Sequence, residues 1–379
     1  LIPKPFDPRL IARIAPAVAK AAMDSGVATR PIADLEAYAE KLTEFVYKTS
    51  LFMRPVFNQA RKDIKRIVLT EGEDERVLHA AQQVVSQKLA FPILVGDAKL
   101  IEERLHSQGL TIQPGKDFEL IDIKNSPYYE ASWKEYYNLR KRCGVTEEMA
   151  RRRLKANTTL VGALLVRLGH ADGLVCGTMG RFHDHFAVME EVIGYNNPEK
   201  EAFAMNALIS NKGNFFIADT YINENPTAEQ LANGTLMCAA EMKRIGLKPK
   251  VALVSNSNYG SHCRPDTRKM QRALEIIREL DPTLEIDGEM QADVALDETM
   301  RKSIFPETTL SGAANLLVMP NVEAANISYN LLRVNATNGI TVGPILMGLN
   351  KPVQIVTPIS TVRRIVNMIA LAAVDAQRQ

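Results

Sequence analysis

The chain has 379 residues, 46% of them hydrophobic and 24% charged, with a formal net charge of +2. That length allows two or three globular domains, and near-neutrality gives neither the basic footprint of a nucleic-acid binder nor the charge of a membrane-surface protein. No apolar run approaches the ~20 residues that cross a bilayer.

Residues 1–50 read as a Pro-punctuated helical connector. Asp7-Pro8 is expected to open a helix through Ala22, and Ile32 to about Tyr47 a second, amphipathic one. After Phe57 short β-branched runs alternate with longer helical patterns: strands at Arg66–Leu69 and Phe91–Val95, helices at Glu75–Gln87 and Ala98–His106. The densest basic cluster, Arg140-Lys141-Arg142 with Arg151-Arg152-Arg153, lies on helical sequence beside Glu147 and Glu148 and reads as a solvated face. Strand patterns resume at Gly173–Cys176, Asn214–Ala218, Val251–Ser255, Leu284–Asp287, Asn315–Met319 and Gly339–Gly343. Val353–Val356 is a last strand. A turn at Thr357-Pro358 follows, then a helix from Ser360 or Thr361 to about Ala376, its apolar stripe at Val362, Ile365, Val366, Ile369 and Leu371. This rhythm predicts a doubly wound α/β architecture of parallel strands and crossover helices.

Few residues carry chemistry on their own. Arg363 and Arg364 fall in the first turn of the last helix, where each cation is unfavourable by roughly 0.3–1 kcal/mol unless an anion shares the site. Two solvated arginines are the plain alternative. His183-Asp184-His185 would aim two imidazoles one way on an extended segment, but spacing offers no third metal ligand, and two ordinary histidines are expected. Asp287, Glu289 and Asp293 are expected to cap helices and hold a turn. Cys143, Cys176, Cys238 and Cys263 have no paired spacing, which fits free thiols in a reducing cytoplasm. No G-x-G-x-x-G follows a strand and no Walker-type loop is present.

The stretch Lys351 to Val366, KPVQIVTPISTVRRIV, is similar without a gap to the C-terminal signature of phosphate acetyltransferases, roughly K-P-[IV]-N-D-L-S-R-G-x-[ST]-V-x-D-I-V. Leu69–Ala80 (LTEGEDERVLHA), Asp219–Ala232 (DTYINENPTAEQLA), Ile286–Ala295 (IDGEMQADVA) and Gly343–Pro352 carry the same resemblance, which runs from about residue 56 to the end. It implies two α/β lobes with a ligand cleft between them, the first from residues 51–197 and 343–379, the second from residues 198–342. In that family a Ser and an Arg stabilise acetyl phosphate and its developing oxyanion, and an Asp helps deprotonate the thiol of coenzyme A. Carried over, these positions are Thr357, Pro358 and Arg364. A hydroxyl survives the first change. Proline has no side-chain donor, and arginine accepts no proton near neutral pH.

Upstream, Gly177–Ala187 lies on the motif G-A-x-x-S-T-x-D-x-x-R-P-A: Asp184 is kept, Arg181-Phe182 replaces the Ser-Thr pair and Ala187 the arginine. Arg181 offers a positive charge nearby with different geometry, and an unrelated solvated arginine is the plainer alternative. Arg333, in Tyr329-Asn330-Leu331-Leu332-Arg333, falls on the family arginine that faces the phosphoryl group across the cleft. Ser255–Ser261, SNSNYGS, matches the polar S-x-S-T-x-G-S loop, whose hydroxyls and amides suit a phosphate or pantetheine and equally suit a structural turn. The loop Val334–Gly339 reads longer than in the family. The candidate acetyl-CoA contacts are Arg333, Thr357, Arg364, Ser257, Asn258, Tyr329 and Arg181, with no catalytic residue and no metal ligand.

The opening stretch, PKPFDPRLI followed by IAPAVAKAAMDSGVATRPI, resembles the end of the catalytic half of bacterial hybrid malic enzymes, in which an acetyltransferase-like domain is fused behind the dehydrogenase. Those fused domains carry T-P-[IV]-[AS]-[ST]-V-R-R-I-V-N-M, as here. With Leu1 in place of an initiator Met, the chain is expected to be cut from a longer polypeptide whose other half holds NADP and a divalent metal. What the resemblance implies for this part is a catalytically degenerate fold that takes acetyl-CoA as effector and inhibits the malic-enzyme half. It further implies a dimer through the second lobe and hexamers of the full protein. Two readings compete: a phosphate acetyltransferase with relocated catalytic groups, and an oligomerisation scaffold with an empty cleft.

Overall fold

The structure, a computed structural model, describes residues 9–122, 125–210, 213–335 and 340–378. By its internal contacts the chain divides into residues 1–55 and 56–379. The smaller unit holds α1 (Arg9–Asp24) and most of α2 (Leu35–Ala60). The helix start expected at Asp7-Pro8 lies outside the described residues. Helix α2 continues well past Tyr47 and runs through Pro55, which costs a helix interior about 3 kcal/mol or more; burial of Val56 and Ala60 just beyond it favours continuing the helix.

In the larger unit the chain first builds β1 (Arg66–Leu69), α3 (Glu75–Gln87), β2 (Phe91–Gly96), α4 (Ala98–Ser107), β3 (Glu119–Asp122), α5 (Tyr129–Arg140), α6 (Glu147–Ala156), α7 (Thr158–Arg167), β4 (Gly173–Cys176) and α8 (Phe182–Val192). It then makes β5 (Phe203–Ser210), β6 (Gly213–Ala218), α9 (Ala228–Arg244), β7 (Lys250–Val254), α10 (Pro265–Leu280), β8 (Glu285–Met290), α11 (Ala292–Leu296), α12 (Glu298–Ile304), β9 (Leu316–Val318), α13 (Val322–Asn335) and β10 (Ile340–Met347). It returns through β11 (Val353–Ile355) and ends in α14 (Val362–Ala376).

The first sheet has the order β11-β4-β1-β2-β3 and is parallel throughout. The second has the order β10-β5-β6-β9-β7-β8 and is mixed: β5 runs antiparallel to both its neighbours, β10 and β6, and the other pairs are parallel. The α/β architecture is the expected one, with this antiparallel edge added to it. Strand β10 lies across residue 342, and all of it belongs to the second sheet. Strands β3 and β5 have no counterpart among the strand patterns read from the sequence. β3 is ELID, with charged ends and Ile121 its only buried residue, and the Ala, Met and Leu of β5 favour helix until neighbours on both sides impose a strand.

The chain enters and leaves the second sheet through one neck. Asn196 N donates to Gly348 O at 3.0 Å and Asn350 N to Gly194 O at 3.0 Å, with Tyr195 bridged to Leu349.

Helix α14 is capped by the Thr361 hydroxyl, which accepts from Arg364 N at 3.3 Å. Its apolar stripe widens into burial on all sides from Ile365 to Val374, since Ala370, Ala372 and Ala373 let α3, β4 and β10 close in on it. Truncating Ile369 to Ala should therefore cost about 2–5 kcal/mol in urea unfolding, whereas a one-faced surface helix would lose less at that position.

Candidate functional site

In a doubly wound sheet the crevice lies beyond the carboxyl ends of the strands, where the order reverses. In the first sheet that point is between β1 and β4, with β11 next to it. The loops after β4 and β11 approach so closely that a Cβ on Gly177, at φ +98°, would sit 2.4 Å from Val356 O. Arg76, in the first turn of α3, ties them together. It pairs with Asp74 (Nη2–Oδ2 2.6 Å) and donates to Thr178 O at 2.9 Å, Ser360 O at 3.1 Å and Pro358 O. Thr357 is buried beneath this clamp, its Oγ1 3.3 Å from Ser360 Oγ.

An internal carboxylate already occupies the amide donors at the end of β4. Glu71 accepts from Gly177 N at 3.1 Å and Thr178 N at 3.5 Å, and from the Thr70 hydroxyl at 2.9 Å. Burial pushes this carboxyl up, and the facing His185 and the amides pull it back. A cavity of about 300 Å³ opens beside it, lined by Glu71, Glu73, Asn157, Thr158, Asp184 and His185 among others. Carboxylates dominate its charge, so it does not suit an anion.

Cations gather instead where the two sheets' halves meet. Arg364 donates from α14 to the Thr341 hydroxyl of β10. Arg333, on α13, lies 5.8 Å from the centre of the Tyr329 ring. Both guanidinium groups act on Tyr221: burial and then Tyr329 push its phenol up, and Arg364 and Arg333 pull it down. Among the described residues no carboxylate is placed against either arginine, whose contacts are Thr341 and Tyr329, and the buried Tyr329 hydroxyl has no hydrogen-bond partner. Tyr221 is held rigidly. Its loop hangs on the buried Asp219, whose carboxylate accepts from Tyr221 N at 3.1 Å, Ile222 N at 3.3 Å and Asn223 N at 2.9 Å. The Tyr221 ring stacks on Phe182 of α8, centroids 4.7 Å apart, and so joins the two halves.

Of the candidate contacts, Arg333, Tyr329 and Arg364 are thus brought together, with Thr357 one loop away. Arg181 is exposed and held by Asp184 (Nε–Oδ2 2.9 Å). Ser257 and Asn258 follow β7, four strands from β10, or roughly 19 Å across the sheet at about 4.8 Å per strand. The Ser257 hydroxyl is spent on Glu289 at 2.8 Å, and Asn258 is paired through both side-chain atoms with Gln291 (3.0 and 2.8 Å). The loop expected to be long, Val334–Gly339, falls largely outside the described residues.

His183 and His185 lie on helix α8, where residues two apart point to different sides. His183 is exposed, and the buried His185 bridges the Thr159 hydroxyl (2.8 Å) and Met179 O (2.6 Å). Among the described residues no group of three or more His, Cys, Asp or Glu side chains is placed to hold a metal ion, and no helix is long and apolar enough to cross a membrane. Asp287 and Glu289 are structural as expected: Asp287 accepts from Thr308 Oγ1 at 2.6 Å and Glu289 from Gly260 N at 2.8 Å. Sequence reasoning gave no role to Tyr221, Glu71 or Arg76, although all three lie in segments that carried the resemblance.

The family model for phosphate acetyl/butaryl transferase matches residues 51–373. The chain belongs to that family. A phosphate acetyltransferase of Corynebacterium glutamicum is 33% identical over 331 residues, 86% of this chain and 98% of its own length. A phosphotransacetylase structure from Streptococcus pyogenes superposes with a TM-score of 0.79 at 28% identity, covering 86% of this chain and 99% of that one. An NADP-dependent malic enzyme of Escherichia coli is 57% identical over all 379 residues, which are 50% of its length. The chain spans about half of the malic enzymes it matches. It is therefore homologous both to free-standing phosphate acetyltransferases and to the part of a malic enzyme that contains such a fold.

Within this member of the acyltransferase family, Arg76 fixes the loop that carries Thr357. Arg76→Met removes every donor of the clamp and should speed amide hydrogen exchange over residues 357–361, with a stability loss of about 1–3 kcal/mol. An unchanged exchange profile would mean that Gly177 and Ser360 hold the loop unaided.

Proposed function

We propose that this chain is an acetyl-CoA-binding regulatory module, an acyltransferase fold that has lost its chemistry and reports its ligand to the malic-enzyme half of a longer cytoplasmic polypeptide. The observation that carries the reading is the pair Arg333 and Arg364, two guanidinium groups that have no carboxylate partner among the described residues and that both act on the Tyr221 phenol. Such a pair suits the phosphates of a coenzyme A ligand. An extended ligand anchored there has the length to approach the polar loop at Ser257 and Asn258, where it would exchange for bonds the loop already makes to Glu289 and Gln291. The family's catalytic positions argue for lost chemistry: Pro358 brings no donor, Arg364 no base, and Ala187 no cation.

The malic-enzyme relatives support the rest of the proposal. The parent would oxidise and decarboxylate malate to pyruvate with NADP and a divalent metal, both held by its other half. Inhibition by acetyl-CoA is then feedback, because pyruvate feeds acetyl-CoA formation. Binding can act on the other half only if acetyl-CoA prefers one arrangement of the protein to another.

Titration calorimetry with acetyl-CoA at fixed salt tests the reading. Arg364→Ala should weaken binding by about 1–3 kcal/mol, and a thiolysis assay with acetyl phosphate and coenzyme A should show no turnover. Turnover at the rate of an active family member would establish the enzyme instead. Equal affinity in Arg364→Ala and Arg333→Ala would return both arginines to solvent.

We also propose that the chain self-associates through α13, as a dimer within the hexamers of the full protein. That helix exposes Ile327, Leu331 and Val334, one and two turns apart on a single face. Leu331→Asp should lower the mass in sedimentation equilibrium to that of a monomer while leaving the fold intact by circular dichroism.

A further inference from the structure

A second polar contact joins the two halves at the other end of α14. Arg244, the last residue of α9, reaches across to Asp375 in the last turn of α14 and also holds Glu241 one turn back on its own helix, with Nε–Oε2 at 2.6 Å. The side chains of Arg244, Glu241 and Asp375 are 9%, 10% and 25% exposed. Buried Gln354 of β11 completes the seam. Its Nε2 donates to Asp375 Oδ2 at 3.4 Å and Leu346 O at 3.4 Å, and its Oε1 accepts from Leu346 N of β10 at 2.9 Å. One guanidinium thus faces two carboxylates across a largely buried seam, with the exposed Arg378 at the chain's end as a further cation acting on Asp375.

We propose that this seam is a proton-operated catch between the two halves: Asp375 holds a proton while the halves are closed on each other and releases it when they part. The catch works whatever Arg333 and Arg364 bind.

The surroundings of Asp375 are consistent with one dominant titration. Its carboxyl is raised to about 7 in all: burial and Glu241 push it up, and Arg244, Arg378 and the Gln354 amide pull it back. The other elements along α14 bring little charge. Helix α3 has Glu75, Arg76 and His79 in its first turns, at the end beside Ser360, and strands β10 and β11 have no titratable side chain. Arg66 of β1 is held by Glu119, Cys176 of β4 faces Glu71, Lys243 is turned to Asp281 at 3.3 Å, and Asp63, near Gln377, is paired with Lys65 at 2.7 Å.

The sign follows from the closed and open values. Open, Asp375 has its ordinary value of 3.8; closed, about 7. Closing therefore takes up a proton between these limits, so acid favours the closed form. As pH rises toward 7 closure weakens by up to about tenfold per unit, the limit for one proton, and above 7 it changes no further.

Amide exchange of the whole chain without ligand, corrected for intrinsic rates from pH 5 to 8.5, reads the catch at Leu346 N and in the last turn of α9. Wild type should show an opening constant that climbs up to about tenfold per pH unit and levels off near 7. Asp375→Asn should be flat. A flat wild-type profile, or a wild-type slope kept by Asp375→Asn, overturns the proposal. Should Asp375→Asn fail to fold, Glu241→Gln decides: losing the repelling carboxylate must move the levelling-off to lower pH, and an unmoved profile overturns the catch. No acetyl-CoA is present, so failure here leaves the binding reading untouched.

Discussion

The pairing of β11 with β4 joins segments on either side of the whole second sheet, and the rest of the larger unit depends on it. It brings the loop after Cys176 against the loop after Val356, closely enough to demand glycine at position 177, and it lets Arg76 span both. It also delivers α14 into the space between α3, β4 and β10. A contact between such distant segments must overcome a large loop-closure entropy. Its strength comes from what arrives with it, a helix buried nearly all round.

That helix carries its ionisable groups against its own dipole. Arg363 and Arg364 stand in the first turn, where the dipole favours anions, and Asp375 in the last, where it favours cations. About 16 Å of helix separates Arg364 from Asp375 at 1.5 Å per residue. Both misplaced groups sit where the halves touch, Arg364 on Thr341 and Asp375 on Arg244. Burial of the helix body tolerates a local loss at each end, and local rules give way where a segment serves more than its own stability.

Much of this was legible in the sequence, and what was not has identifiable causes. Strand β1 and helix α3 fall where the apolar patterns place them, because β1 is a short apolar run buried on both faces and α3 turns one stripe to the core. Strand β5 was invisible because its Ala, Met and Leu carry no strand preference of their own; β6 and β10 make it a strand. The family motifs located Thr357, Pro358 and Arg364. They could not reveal that Thr357 is roofed by Ser360, nor that Ser257 and Asn258 are spent on Glu289 and Gln291, since motifs list residues and not hydrogen-bond partners. Tyr221 was missed for a related reason. Its place depends on Asp219 holding its loop and on Phe182 meeting it from the other half, two contacts with no shared sequence period.

The neck at Gly194–Asn196 and Gly348–Asn350 sets how the chain's parts can be rearranged. The backbone enters and leaves the second sheet through two hydrogen-bonded segments, so the ends left by removing everything between them would already lie within the span of one peptide link or a short turn. The second half is thus an insertion between two neighbouring strands of the first, of the kind that can be excised, replaced or permuted without re-threading the host sheet. The same geometry makes the neck a pivot, because two short segments joined to each other resist separation far more than they resist twisting.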